Sequence, residues 1–188
     1  LLLTEDLAIT YDARFKVNPP LRSQQDVEAL RAGVVDGTID AIATDHAPHP
    51  IEEKESAWAE ASFGMVGLES AVSVVQASLI DTGLLGWSDI ARLLSSAPAA
   101  IGRLPGYQQG LVQGAPAQLT LIDPSAVREF GIRDLRGRSV NSPYLGMRLP
   151  GRVIATVHAG YPTVLDGELV AAELIAASAA KRRGASRG

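Results

Sequence analysis

The 188-residue sequence contains no cysteine. Disulfides and thiolate metal sites are therefore excluded, and any metal centre must draw on His, Asp or Glu. Histidine itself is scarce, with three in the chain. No apolar run approaches the ~20 residues that span a bilayer. Positive charge is not in excess: the formal net charge of -4 argues against a nucleic-acid surface, while leaving local recognition of an anion open. The opening Leu1-Leu2-Leu3-Thr4 lacks an initiator Met, and it lacks the basic flank and small-residue cleavage site of a signal peptide. It reads as a chain entered in mid-fold, so a fragment is expected. With 46% hydrophobic residues the chain is too apolar for a disordered segment. We expect a cytoplasmic protein with neither membrane nor nucleic acid as partner.

What is present divides into two parts. Up to about residue 105, short apolar runs alternate with helical patterns. Ser23 is placed to cap a helix, with Asp26 at the third helical position, and Val27, Leu30 and Val34 recur at helical spacing. Residues 39–44 form a short, mostly apolar run, as expected of a strand buried in a parallel sheet. A second helical face carries Leu68, Ala71, Val72, Val75 and Leu79. A third starts at Ser88 with Ile90, Leu93, Leu94 and Ala97 inside, and Pro98 is suited to the first position of another short helix. This order predicts a parallel α/β architecture. Beyond residue 105, Gly and Pro become frequent and the candidate elements are strands, at 118–122, 152–157 and 163–170. Asp166-Gly167 is a good two-residue hairpin turn. The Ala-rich, then basic tail at 171–188 is expected to be frayed or disordered.

The segment richest in chemistry is Thr44-Asp45-His46-Ala47-Pro48-His49. A carboxylate and two imidazoles emerge where a buried strand should end, which is where α/β barrels gather catalytic groups. An Asp can bind a metal with one oxygen and accept a proton on the other, and a His can meet a substrate carboxylate. On residues alone, Asp45 as a cap and the histidines as solvated loop residues stand equally open. Asn18-Pro19-Pro20-Leu21-Arg22 fixes an extended loop; taken alone, a rigid turn without a ligand is the preferred reading. Phe63-Gly64-Met65-Val66-Gly67-Leu68-Glu69 offers glycines that let backbone approach a ligand, or merely enter a helix. Glu52-Glu53-Lys54-Glu55 reads as a solvated charged helix. Trp58, Trp87 and His158 read as packing or surface residues.

Together these segments resemble the bacterial, longer-chain class of dihydroorotases in the amidohydrolase superfamily. The resemblance is carried by Lys16-Val17-Asn18-Pro19-Pro20-Leu21-Arg22, Asp36-Gly37-Thr38-Ile39-Asp40 and Ile42-Ala43-Thr44-Asp45-His46-Ala47-Pro48-His49. Glu53-Lys54, Phe63-Gly64, Gly67-Leu68-Glu69 and Asn141-Ser142-Pro143-Tyr144 continue it. The fold it implies is α/β. Residues 1–105 would be the C-terminal strand–helix units of a TIM-barrel amidohydrolase, and 106–170 a β-rich segment of a composite β-sandwich.

The activity implied is the reversible cyclisation of N-carbamoyl-L-aspartate to L-dihydroorotate in pyrimidine synthesis, with zinc as cofactor. Asp45 matches the family's strand-end aspartate, a zinc ligand and general acid/base. His49 and Asn18 match substrate-binding residues. Phe63 and Gly64 match a loop whose backbone touches the dihydropyrimidine ring. His46 receives no role. Gln118 departs from the Asp common at that position, away from the metal. The family's His-x-His pair and its other metal ligands have no counterpart in the chain, so this segment alone is expected to be inactive. Two other readings stay open. One is a related cyclic amidase acting on hydantoins or allantoin. The other is an inactive homologue serving as a structural partner of aspartate transcarbamoylase. Homo-oligomerisation is open too.

Overall fold

Helix α1 (Gln24–Val35) starts where local chemistry dictates. The Ser23 hydroxyl accepts from the Asp26 N–H at 3.2 Å while the Asp26 carboxylate accepts from the Ser23 N–H at 3.2 Å, satisfying two of the donors that a helix start leaves open. Val27 and Val34 are buried, but Leu30 is exposed, so the buried stripe is narrower than its spacing predicts. Computed structural modelling describes residues 1–107, 110–173 and 175–176. After the short α2 (Ile51–Lys54) comes α3 (Ala71–Val75), which widens into a π-helical turn at Gln76–Ile80. Helix α4 (Trp87–Ala91) likewise runs through a π-helical turn, Arg92–Ser96, into α5 (Ala97–Ile101). There the Ala97 N–H reaches back to Arg92 O, and Pro98, which has no N–H to give, follows in the first turn of α5, as expected.

Val34, Val75, Leu79, Ile90 and Leu93 form the main core, so α1, α3 and α4 with their continuations meet at one centre. Ile39 and Ile42 pack against it. Leu68, placed by its spacing on the inner face, is instead exposed. The expectation of a strand at 39–44 needs correction. The run is bounded by the core but pairs with no neighbour, and the Ile42 N–H goes to Leu93 O instead. A strand is defined by a ladder to a chain about 4.8 Å away. Among the described residues that ladder is reduced to one parallel bridge, His46 with Met65, just past the end of the run.

The sheet is antiparallel with the order β1 (Leu119–Glu129), β2 (Arg148–His158), β3 (Tyr161–Leu165) and β4 (Glu168–Leu169). Strand β1 is longer than expected because Pro124 does not end it. The register shifts between Asp123 and Val127, which leaves Pro124 outside the ladder. Asp166 and Gly167, with φ of 52° and 79°, make the predicted hairpin turn between β3 and β4. Ala159-Gly160 repeats that conformation between β2 and β3, a turn the sequence did not advertise because Ala rarely adopts positive φ. The sheet docks on α3 through Ser73, whose hydroxyl donates to Gly151 O at 3.1 Å, and Gln76, whose amide donates to Pro124 O at 2.9 Å. Residues 172–173 and 175–176 of the tail are helical, and residues 174 and 177–188 lie outside the described ones.

Candidate active site

Asn18, Asp45, Phe63 and Gly64 line one cleft of about 270 Å³, together with Tyr144. Asp45 sits at the end of the extended run in left-handed backbone, with φ of 45°. Asp and Asn tolerate that region better than other side chains with a Cβ, because their short polar groups bond locally. A non-glycine residue held there is a form of backbone strain that clusters at functional sites. Among the described residues, neither the Asp45 carboxylate nor the Asn18 amide has a hydrogen-bond or ion-pair partner. Both therefore face the cleft with their polar atoms uncommitted.

His46 turns away to another task. Its Nδ1 accepts from the N–H groups of Gly67 and Leu68, at 3.1 and 3.3 Å. Backbone amides can only donate, so the ring proton must sit on Nε2. The residue left without a role thus ties the end of the Asp45 segment to the loop entering α3.

Gly64 is held from every side. Its φ is +133°, and a Cβ there would lie 2.7 Å from Ala47 Cβ and 3.0 Å from His49 Nε2, so no larger residue fits without displacement. Its N–H donates to Lys16 O at 3.0 Å. Its carbonyl accepts from Lys54 Nζ at 3.0 Å and Asn141 Nδ2 at 3.2 Å. With its N–H and carbonyl both engaged, Gly64 lines the cleft as closely packed backbone. His49 packs behind it, outside the cleft lining, with Nδ1 3.0 Å from Glu53 Oε2. The Ser62 hydroxyl, first, and the His49 ring, second, hold the Glu53 carboxyl below its ordinary pKa. Phe63 is exposed on the rim, with Lys16 Nζ 4.6 Å from its ring centroid.

No family model matches the chain. It is 65% identical over 170 residues to a dihydroorotase of Leifsonia xyli subsp. xyli, covering 90% of this chain and 39% of that protein. A dihydroorotase of Streptomyces coelicolor is 50% identical over 169 residues, covering 90% of this chain and 40% of that protein. Over that span, this chain belongs to the dihydroorotase family. It spans about 39% of the length of the relative with 65% identity. The fold agrees: the L-hydantoinase of Arthrobacter aurescens superimposes with a TM-score of 0.78 at 25% identity, covering 90% of this chain and 38% of that one. A D-hydantoinase structure gives 0.79 at 20% identity, covering 89% and 38%. Dihydroorotase-like sequence on a hydantoinase-like frame confirms the expected α/β amidohydrolase class.

Two residues that hold this cleft in shape stood in the segments carrying the resemblance but were given no role there. Lys54, taken for part of a solvated charged helix, is 7% exposed. Its Nζ donates to Ser62 O, Gly64 O and Lys16 O at 2.9, 3.0 and 3.3 Å. Burial, first, and the Lys16 charge, second, pull its pKa below the ordinary lysine value. Asn141 is buried as well, and nothing in local sequence pattern announces its reach back to residues 47–64. Tyr144, in the same segment as Asn141, was likewise given no role. Burial pushes its phenol up to about 12, so at neutral pH it lines the cleft as a protonated donor.

The uncommitted Asp45 carboxylate in the cleft suits one ligand of a divalent ion. Among the described residues, no group of three His, Asp or Glu gathers to complete a site. Asp45 thus fits as one ligand of such an ion.

Proposed function

We propose that the protein carrying this chain is a dihydroorotase, interconverting N-carbamoyl-L-aspartate and L-dihydroorotate in cytoplasmic pyrimidine synthesis. The observation that carries this reading is the meeting of Asn18, Asp45, Phe63 and Gly64 at one cleft, in a chain 65% identical to a dihydroorotase. The substrate is a small anionic ring whose amide is opened or closed.

Asp45 is the residue that moves the proton. In the hydrolytic direction a water adds to the ring carbonyl. One Asp45 oxygen takes the proton released by that water and delivers it to the ring nitrogen as the carbon–nitrogen bond breaks. Cyclisation runs the same transfers in reverse. The other Asp45 oxygen is the one that would hold zinc, with the remaining ligands supplied from outside this chain. Bound zinc supplies Lewis acidity that polarises a carbonyl and acidifies a water. Asn18 orients the substrate through its carboxylate by donating its amide, and His49, whose ring rests behind Gly64 outside the cleft lining, joins it by turning its imidazole into the cleft. The exposed Phe63 ring and the Gly64 backbone flank the dihydropyrimidine.

The test is turnover by the full-length, zinc-loaded protein on dihydroorotate, hydantoin and dihydrouracil side by side. Dihydroorotate should be preferred in kcat/KM by at least about 100-fold, since an unpaired polar site group rejects an analogue lacking its partner. Equal or better turnover of hydantoin would replace this reading with that of a hydantoinase.

A further inference from the structure

Asn141 lies between β1 and β2, more than 90 residues from the Asp45–His49 segment, yet its amide touches that segment twice. Its Nδ2 donates to Ala47 O at 3.0 Å and to Gly64 O at 3.2 Å. Its Oδ1 accepts from the His49 N–H at 3.4 Å, and its own carbonyl accepts from the Val66 N–H at 3.2 Å. The side chain is 4% exposed as a residue, so water cannot readily substitute for these bonds. One amide therefore spans two loops that are otherwise linked by the bridge and bond at Met65 and by the Gly67 and Leu68 N–H groups donating to His46 Nδ1, and among these links it alone reaches His49.

We propose that Asn141 is a positioning residue for the reaction, clasping the His49 loop to the Gly64 loop so that the carboxylate-binding side of the cleft keeps its geometry. The inference rests on the dihydroorotase reading of the cleft and adds to it a residue from the β-rich part of the chain. An amide is needed because the three partners are two acceptors and one donor, which Asn meets with one side chain. Asp keeps the acceptor facing the His49 N–H but turns two donors into acceptors facing two carbonyls.

The experiment uses the full-length protein with dihydroorotate. Asn141→Asp should lower kcat/KM roughly 10- to 100-fold, since displacement of a positioning loop by about 1 Å can cost on the order of 100-fold. The loss should fall mainly on KM, with bound metal unchanged. Combined with His49→Ala, the two losses should multiply to less than their product by at least about threefold, because both act on one contact. Asn141→Ser, which leaves room for water, should show the same ordering more mildly and faster amide exchange at residues 45–49 and 63–66 than at 119–129. Wild-type KM in Asn141→Asp, or fully multiplicative losses, would overturn the proposal, as would failure of both variants to fold, which would make Asn141 a residue of the fold. If wild type itself does not turn over dihydroorotate, the functional reading has failed first, and that result is distinct from wild-type turnover with an indifferent Asn141.

Discussion

Replacing Lys54 by Met tests how the cleft wall is held, and the structure sets the size of the effect. Lys54 Nζ serves three carbonyls, so simple addition suggests a loss of three charge-assisted bonds. That sum is too large. Lys16 O keeps the Gly64 N–H and Gly64 O keeps Asn141 Nδ2, so of the three only Ser62 O is left without a partner among the described residues. One orphaned buried carbonyl costs about 1–3 kcal/mol. Against this, Met removes a buried positive charge close to Lys16, and its chain fills nearly the same volume. The net expectation is a destabilisation of about 1–3 kcal/mol at neutral pH, read by denaturant unfolding of the full-length protein. The pH dependence gives a second reading. The folded pKa of Lys54 lies below the unfolded value, so the folded state binds fewer protons in the window between them. Stability from this residue therefore rises as pH climbs through the lowered folded value toward the ordinary 10.5. The gap between wild type and Lys54→Met should widen over that window. An unchanged midpoint, or a gap that narrows with rising pH, would refute the pin. A loss above about 5 kcal/mol would mean that the three carbonyls depend on Lys54 independently.

Asp45→Asn should reduce turnover by at least about 100-fold with the fold kept, because general acid–base transfer contributes on that order and Asn also tolerates the left-handed backbone. Wild-type rates in a folded variant would leave Asp45 as a turn residue. Asn18→Ala and His49→Ala should each lower kcat/KM for dihydroorotate by roughly 10- to 150-fold, equivalent to about 1.5–3 kcal/mol for a charge-assisted bond, while keeping bound zinc. Equal proportional losses on dihydrouracil, or zinc loss in His49→Ala, would count against carboxylate binding. Gly64→Ala must push aside Ala47 and His49 at an unfavourable φ, so it should cost about 1–3 kcal/mol in stability and raise KM; a silent substitution would show that this wall is soft.

Parts of this molecule were legible because their causes are local. Ser23 and Asp26 are three residues apart and satisfy each other, whatever the rest of the chain does. Asp166-Gly167 carries its own positive-φ preference. Asn18, Asp45, His49, Phe63 and Gly64 were singled out through the family resemblance, since by residue type alone a cap, a solvated loop and a rigid turn stayed open; four of them line one cleft, and His49 lies outside its lining. Where the reading failed, the cause was distant. Leu30 and Leu68 have the right spacing for a buried face, but what covers a face is decided by neighbours in space, and both are exposed. Residues 39–44 have the composition of a central strand, yet hydrogen-bonded pairing belongs to two chains and composition to one. Lys54 illustrates the same gap for charge. Its flanking glutamates suggest solvent, while three carbonyls from residues 16, 62 and 64 suggest a buried cation, and only the fold brings those carbonyls together. Asn141 is the extreme case: a single amide whose partners lie 77 to 94 residues away. The residues proposed to do chemistry were thus readable through a resemblance carried by their own segments. Those that hold them in place were not, because holding is a relation between segments, and a cleft of this kind needs both.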